Sequence, residues 1–164
     1  MTVRIYQVLF LCTGNSARSI LAEAVLNHLG DGRFQAWSAG SHPTGQIHPQ
    51  AIATLNEAGI STAGYRSKSW DEFAGPAAQA LDFVFTVCDR AAGEVCPHWP
   101  GQPLTAHWGV VDPAALIASE SEIQRAFWHT MMALRRRIEL FLSLPLAAID
   151  SLTLQTRLAQ IGRE

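Results

Sequence analysis

Residues 5–19 read IYQVLFLCTGNSARS: an apolar run ends in a cysteine, and small or polar residues and an arginine follow. The near-continuous apolar run over residues 4–11 is typical of a strand buried on both faces of a parallel sheet. Residues 19–30 then have apolar side chains at helical spacing and a glycine at the end. The stretch therefore predicts a strand, a short loop and a helix.

Strands and helices alternate along the rest of the chain. We predict further strands at residues 33–37, 81–87 and 104–108, and helices at residues 49–58, 67–73 and 151–161 and from Ser119 to a stop at Pro145. In the long helix, Arg135, Arg136 and Arg137 are expected to lie on a solvated face. The alternation indicates an α/β fold with a parallel sheet, and without repeats or linkers we expect one domain over residues 1–164.

Composition excludes several classes of function. The chain has 164 residues, 48% of them hydrophobic, and a formal net charge of −2, so neither nucleic acid nor an anionic membrane is indicated as a partner. Its start lacks a signal-peptide pattern, and no apolar stretch is long enough to span a membrane. Three cysteines, an odd number, argue against a disulfide framework. We therefore expect a cytoplasmic location.

The loop after the first strand combines a cysteine with an arginine six positions later. Backbone N–H groups in a strand-to-helix loop converge on one point, and the helix N-terminus adds partial positive charge. Gly14 and Asn15 tolerate positive φ, Arg18 can fork two hydrogen bonds onto an oxyanion, and Ser19 could donate to the Cys12 sulfur. The loop therefore predicts an oxyanion site with a nucleophile at its base; an inert buried thiol in a tight turn is the alternative. The predicted oxyanion-binding residues are Thr13, Gly14, Asn15, Ser16, Ala17, Arg18 and Ser19.

Two further cysteines, Cys88 and Cys96, are separated by seven residues. This spacing is wider than CxxC and does not resemble a zinc pair, and the six histidines show no metal-ligand spacing either, so no metal is expected. In a helix the two thiols would lie about two turns apart, so a disulfide between them would require the segment to unwind, which Gly93 makes easier. Cys12 and Cys88 both follow predicted strands, which places them at the same edge of the sheet.

The motif CTGNSARS followed by ILAEA resembles the phosphate-binding loop and first helix of the low-molecular-weight protein tyrosine phosphatase superfamily, which includes an arsenate reductase branch. Residues 38–40 (Ser-Ala-Gly) and 112–113 (Asp-Pro) also fit. The resemblance implies a three-layer α/β fold with a four-stranded parallel sheet flanked by helices. It also implies Cys12 as nucleophile, Arg18 as oxyanion clamp and Asp112 as general acid. Asp89, next to Cys88, is a rival acid; Asp112 is preferred because its Asp-Pro matches the family and because Pro113 would stiffen it.

Residues 87–114, VCDRAAGEVCPHWPGQPLTAHWGVVDPA, are similar to the corresponding block of arsenate reductases. Ala114 and Ala115 stand where the phosphatase branch usually has paired tyrosines. The resemblance implies that Cys12 attacks arsenate, that Cys88 then attacks Cys12 and releases arsenite, and that Cys96 moves the disulfide to Cys88–Cys96. An external thiol donor, thioredoxin or glutaredoxin with glutathione, would reduce that bond.

Other readings of the same residues stay open. The chain could be a phosphatase that hydrolyses phosphate monoesters, with Cys88 and Cys96 as bystanders, or a non-catalytic protein that binds arsenate or phosphate. No tightly bound cofactor is expected. Some relatives bind potassium near the loop, and Asn15, Glu23 and Ser38 could fill three of the four places. Lys68 and Ser69 stand at the place of the expected aspartate, which argues against potassium dependence.

Overall fold

A computed structural model describes residues 4–164, and within them four strands form one parallel sheet in the order β2-β1-β3-β4. The α/β prediction with a four-stranded parallel sheet flanked by helices is confirmed. The domain prediction stays untested, and it includes residues 1–3, which lie outside the described residues. The strands are β1 (Tyr6–Cys12), β2 (Phe34–Gly40), β3 (Phe83–Thr86) and β4 (Leu104–His107). The helices are α1 (Arg18–Leu29), α2 (Pro49–Glu57), α3 (Asp89–Ala92), α4 (Glu120–Leu142) and α5 (Ser151–Ile161), with 3-10 turns at Trp70–Phe73 and Pro113–Ala115.

Strand β1 lies inside the sheet and is buried on both faces, as its apolar run predicts. Successive side chains of a strand point to opposite faces, so Phe10 joins the large apolar cluster under the main helices. Leu9 and Leu11 join a smaller cluster on the other face, with Phe73 of the first 3-10 turn and Val84 of β3. Long helices therefore cover one face of the sheet, and short segments cover the other.

Trp108, directly after β4, is the largest side chain in the core. Its ring stacks on Phe85 with the centroids 3.8 Å apart, and its indole N–H donates to the carbonyl of Leu158 at 3.0 Å. The backbone carbonyls of Trp108 and Gly109 accept hydrogen bonds from the Arg137 guanidinium at 2.7 and 3.0 Å. The prediction that Arg137 is solvated is therefore wrong: buried carbonyls beyond the end of β4 need a donor, and this arginine on α4 supplies it.

Several element boundaries differ from the sequence prediction. β2 continues through residues 38–40, because the glycine at its end leaves room for the loop that follows β1. A Cβ at Gly40 would collide with the Thr13 carbonyl oxygen of that loop. β3 begins later than predicted, after Asp82, whose carboxylate accepts a hydrogen bond from the Gln7 backbone N–H. The helix predicted at residues 67–73 is a single 3-10 turn, Trp70–Phe73. Within residues 4–164, no helix has the length and apolarity that crossing a bilayer requires.

Candidate active site

The predicted oxyanion loop joins β1 to α1 over residues 13–17, with Cys12 as the last residue of β1 and Arg18 as the first helical residue. Asn15 has a φ of 45°, in the left-handed region. Gly14 does not use its freedom to adopt positive φ; its carbonyl accepts a hydrogen bond from the Thr44 backbone N–H. When a residue in the loop before a helix adopts the left-handed conformation, successive backbone N–H groups can point to one side and form an anion-binding concavity.

Cys12 lies at the base of this loop, at the carboxyl end of β1. Its side chain is buried, and its Sγ lies 2.9 Å from the Ser19 hydroxyl oxygen. Ser19 lies in the first turn of α1 and is itself buried. A hydroxyl group at this distance is placed to donate a hydrogen bond to the sulfur. The contact predicted between Ser19 and the Cys12 sulfur is present.

Hydrogen bonds around Asn15 fix which way the Ser19 proton points. The Asn15 carbonyl oxygen accepts from the Lys68 backbone N–H at 2.9 Å, so the amide nitrogen faces the two serines. That nitrogen donates to the Ser19 hydroxyl at 2.8 Å and to the Ser38 hydroxyl at 2.9 Å. Because Ser19 accepts from Asn15, its own proton is left to donate to the Cys12 sulfur.

Glu23 ends the same chain of hydrogen bonds. Its carboxylate is buried on α1 and accepts from the Ser38 hydroxyl at 2.5 Å. Burial raises the pKa of Glu23 to about 7, against the opposing effects of the Lys68 charge and the Ser38 hydrogen bond. Burial also lowers the pKa of Lys68, and the Glu23 carboxylate opposes that shift. The Lys68 ammonium donates to the Arg66 carbonyl at 3.0 Å. Glu23 and Lys68 line the same cavity, and the charge of each favours the charged form of the other.

The surroundings of Glu23 do not fit a potassium ion. Asn15, Glu23 and Ser38 are brought together, as three of the four predicted places require. The fourth place holds Lys68, whose ammonium already supplies a positive charge that acts on the Glu23 carboxylate. Both hydrogens of the Asn15 amide are also donated to serines. A cation here would meet like charge instead of an aspartate.

Arg18 reaches from the start of α1 across the mouth of the loop. One guanidinium nitrogen donates to the Val110 carbonyl at 3.1 Å, and another lies 3.5 Å from the Asp112 carboxylate. The Arg18 side chain is 17% exposed, so its position is set by these contacts while part of it remains open to solvent. The two terminal nitrogens that a planar clamp would use for an oxyanion are directed here to Val110 and Asp112.

The structure separates the two candidate acids. Asp112 lies beside Arg18 and caps the 3-10 turn Pro113–Ala115, where its other oxygen accepts from the Ala114 backbone N–H at 2.9 Å. Asp89 is almost fully exposed and pairs instead with His107, 2.7 Å away at the end of β4. The geometry therefore favours Asp112 over Asp89 as the acid near the oxyanion loop.

Cys88 lies next to the oxyanion loop, as expected for a residue that follows a neighbouring strand. Its thiol is 2% exposed, and its Sγ lies 3.7 Å from the Thr13 hydroxyl. The sulfur also caps the short helix α3 by accepting from the Ala91 backbone N–H at 3.3 Å. The edge of the sheet thus places a second thiol, Cys88, beside Thr13, the residue that follows Cys12.

Cys96 lies outside this group. It follows α3, which ends at Ala92, so the two cysteines do not share a helix. Its side chain is exposed and lines a cavity of about 530 Å³ together with Trp99 and Ala106. Although the residue as a whole is exposed, partial burial of its sulfur and the nearby negative charge of Glu94 raise the pKa of Cys96. Both effects favour the protonated form of this thiol.

An apolar cavity of about 460 Å³ adjoins Asp112 on the side of α4. Its walls include Pro113, Ala115 and Leu116, and His129 of α4 contributes a polar edge. Ala115 places only a methyl group here, so this wall offers no aromatic ring to a substrate. Within residues 4–164, no cluster of three or more histidine, cysteine or acidic side chains could hold a metal ion.

Sequence reasoning missed two contacts of the site. The Val110 carbonyl accepts a hydrogen bond from Arg18, and the Thr13 hydroxyl lies beside the Cys88 sulfur. Each contact joins residues far apart in sequence, so no local spacing reveals it. Lys68, by contrast, is visible in the sequence, because it stands where an acidic residue is expected.

The fold and this loop define a phosphatase-like class of proteins. The profile of the low molecular weight phosphotyrosine protein phosphatase family matches residues 7–152, and the chain belongs to that family. Within it, the chain is 35% identical to an arsenate reductase of Halalkalibacterium halodurans over 82% of this chain and 93% of that protein.

Solved structures give the same grouping. A structure described as an arsenate reductase in the phosphate-binding state superimposes with a TM-score of 0.69 at 27% identity, covering 84% of this chain and 97% of the other. A thioredoxin-dependent arsenate reductase of Corynebacterium glutamicum superimposes with a TM-score of 0.57 at 27% identity, covering 86% of this chain and 65% of the other.

Proposed function

We propose that the protein reduces arsenate to arsenite through a relay of Cys12, Cys88 and Cys96. The observation that carries the proposal is the place of Cys88: a buried second thiol lies against Thr13 of the oxyanion loop, whereas hydrolysis of a phosphate ester needs only Cys12. The similarity to arsenate reductases, one of them thioredoxin-dependent, supports the same conclusion.

In the first step, arsenate lies in the loop formed by residues 12–19. The Cys12 thiolate, which accepts a hydrogen bond from Ser19, attacks arsenic and forms a sulfur–arsenic bond. Asp112 protonates the departing oxygen, which leaves as water, and Arg18 stabilises the negative charge on the other oxygens. Arsenic remains in its pentavalent state in this adduct.

In the second step, the Cys88 thiolate attacks the Cys12 sulfur. The electron pair of the sulfur–arsenic bond goes to arsenic, which leaves as trivalent arsenite, and a Cys12–Cys88 disulfide forms. Cys96 then attacks Cys88 and releases the Cys12 thiolate. In sum, arsenate and two thiols give arsenite, one disulfide and water.

The final Cys88–Cys96 disulfide needs an external dithiol reductant, and we propose a thioredoxin-like protein for this role. Cys96 is exposed, so a protein thiol can approach the bond it forms. We place the reaction in the cytoplasm, where reducing conditions keep free the three cysteines that the relay uses.

The test is one equivalent of arsenate added to the reduced protein, followed by alkylation of the remaining thiols and peptide mapping by mass spectrometry. A Cys12–Cys88 or Cys88–Cys96 disulfide that appears only with arsenate supports the relay. Cys88→Ser should lose turnover while still binding arsenate. Three free thiols after exposure to arsenate would refute the proposal.

Phosphate monoester hydrolysis is the second candidate function. It is supported by the family match and by the position of Asp112 beside Arg18, which suits protonation of a leaving alcohol. The small Ala115 in the adjoining wall disfavours an aromatic substrate. Full hydrolysis of an alkyl phosphate monoester by Cys88→Ser, together with three free thiols in the wild-type protein after arsenate, would support this candidate instead.

A further inference from the structure

The carboxylate of Glu94 joins the segment between Cys88 and Cys96 to the oxyanion loop. One carboxylate oxygen accepts from the Thr13 hydroxyl at 3.2 Å and from the Ser41 hydroxyl at 2.8 Å. The Glu94 side chain is only 19% exposed. Neither donor is close to Glu94 in sequence, so the contact closes a long connection between separate parts of the chain.

A second loop takes part in the same contact. His42 Nδ1 lies 3.6 Å from the other Glu94 oxygen, and its backbone N–H donates to the Thr13 carbonyl at 2.9 Å. The oxyanion loop and the loop after β2 are therefore already held together before Glu94 binds to both. The carboxylate meets a fixed pair of hydroxyl groups and not two independent side chains.

Among residues 92–96, Glu94 is the one side chain that is not exposed. Residues 92, 93, 95 and 96 are all exposed, and Val95 is 95% exposed. Thr13 is the shared partner, since its hydroxyl also lies 3.7 Å from the Cys88 sulfur. Loss of the Glu94 contacts would therefore free the segment that follows Cys88 and loosen the packing of Cys88 against the loop.

We propose that Glu94 is a positioning residue that ties this segment to the oxyanion loop and keeps the Cys88 thiol beside it until the first disulfide forms. The tie is a property of the resting protein, whereas its role in turnover rests on the proposed arsenate reduction. After Cys88 bonds to Cys12, release of Glu94 lets Cys96 approach Cys88. The same carboxylate adds to the effect of burial in raising the pKa of Cys96.

The first experiment measures the tie without arsenate. The reduced protein is treated with N-ethylmaleimide, and the alkylation rate of Cys88 is followed by peptide mapping. Glu94→Ala should raise that rate about tenfold, because hydrogen bonds from two hydroxyl groups to a charged acceptor are lost. Glu94→Gln keeps an acceptor oxygen and should give a smaller increase. Val95→Ala, in the same segment but exposed, is the matched control and should leave the rate unchanged.

Ser41→Ala removes a donor from the other end of the contact and leaves the cysteine segment intact. It should raise Cys88 alkylation by part of the same factor, and it should have no further effect in a Glu94→Ala background. This pair keeps the test valid if one variant folds poorly. Unchanged Cys88 alkylation in both Glu94→Ala and Ser41→Ala, relative to Val95→Ala, would overturn the proposal.

The second experiment measures turnover with arsenate. Glu94→Ala should lower kcat about tenfold with the KM for arsenate unchanged, because the oxyanion loop is intact while Cys88 spends less time beside it. A purely structural role would change both constants or neither, which would overturn the positioning role. If the wild-type protein forms no disulfide with arsenate, the proposed function fails, and the alkylation result still decides whether the tie exists.

Discussion

Replacing Glu23 by glutamine should remove most of the decrease in folding stability that we expect for the wild-type protein between pH 5 and pH 8. The glutamine carbonyl can still accept the hydrogen bond from Ser38, so the network around Asn15 is kept while the ionisable group is lost. Burial is the main cause that raises the pKa of Glu23 from its ordinary value of 4.5 to about 7. Between these values the folded protein binds more protons than the unfolded chain, so its stability falls as pH rises.

The size of the effect follows from the two pKa values. A shift of one unit corresponds to about 1.4 kcal/mol, so from pH 5 to pH 8 the wild-type protein should lose about 2.5 kcal/mol relative to Glu23→Gln. At pH 5 the protonated carboxyl still stabilises the fold, and at pH 8 that contribution is gone. Urea unfolding at both pH values measures the difference directly.

The control for this measurement is Glu57→Gln, which changes an exposed carboxylate on α2. It should leave the pH dependence of the wild-type protein in place. Parallel stability curves for wild type and Glu23→Gln between pH 5 and pH 8 would refute the reasoning, because they would mean that Glu23 is already ionised throughout this range. The Lys68 charge would then dominate over burial.

Three further substitutions test other parts of the structure. Arg18→Lys loses the two-donor fork and should lower arsenate turnover by roughly a hundredfold or more, measured as kcat/KM, with folding unchanged by circular dichroism. Gly40→Ala places a methyl group against the Thr13 carbonyl and should weaken inorganic phosphate binding by calorimetry, whereas normal binding would show that the loop can yield. Trp108→Ala should cost roughly 3–5 kcal/mol in urea unfolding, and Trp108→Phe should cost less because stacking on Phe85 survives.

The order of the first strand, loop and helix could be predicted from sequence because each signal is local. The apolar run marks β1, the helical spacing marks α1, and Asn15 between them adopts the left-handed conformation that its residue type tolerates. The contact of Ser19 with Cys12 also follows, because both lie at the ends of one short loop. The elements were predictable wherever a single stretch of chain determines them.

Contacts between distant segments were not predictable in this way. Arg137 belongs to a run of three arginines, and only the packing of α4 against the end of β4 turns it inward. The tie from Glu94 to Thr13 and Ser41 likewise depends on where two loops meet. β2 extends beyond its predicted end through small residues that leave room for a neighbouring loop. A rule based on turn residues interprets these same small residues as the end of the strand.

The segment between Cys88 and Cys96 should open locally more readily than the centre of the sheet. Cys88 and Ala91 belong to the large apolar cluster, whereas residues 92–98 contain no fully buried side chain. Local opening costs little where few apolar contacts are broken, so amide hydrogens of residues 92–98 should exchange with deuterium far faster than those of β1 and α1. Rearrangement of the thiols can then proceed while the centre of the sheet stays closed to solvent.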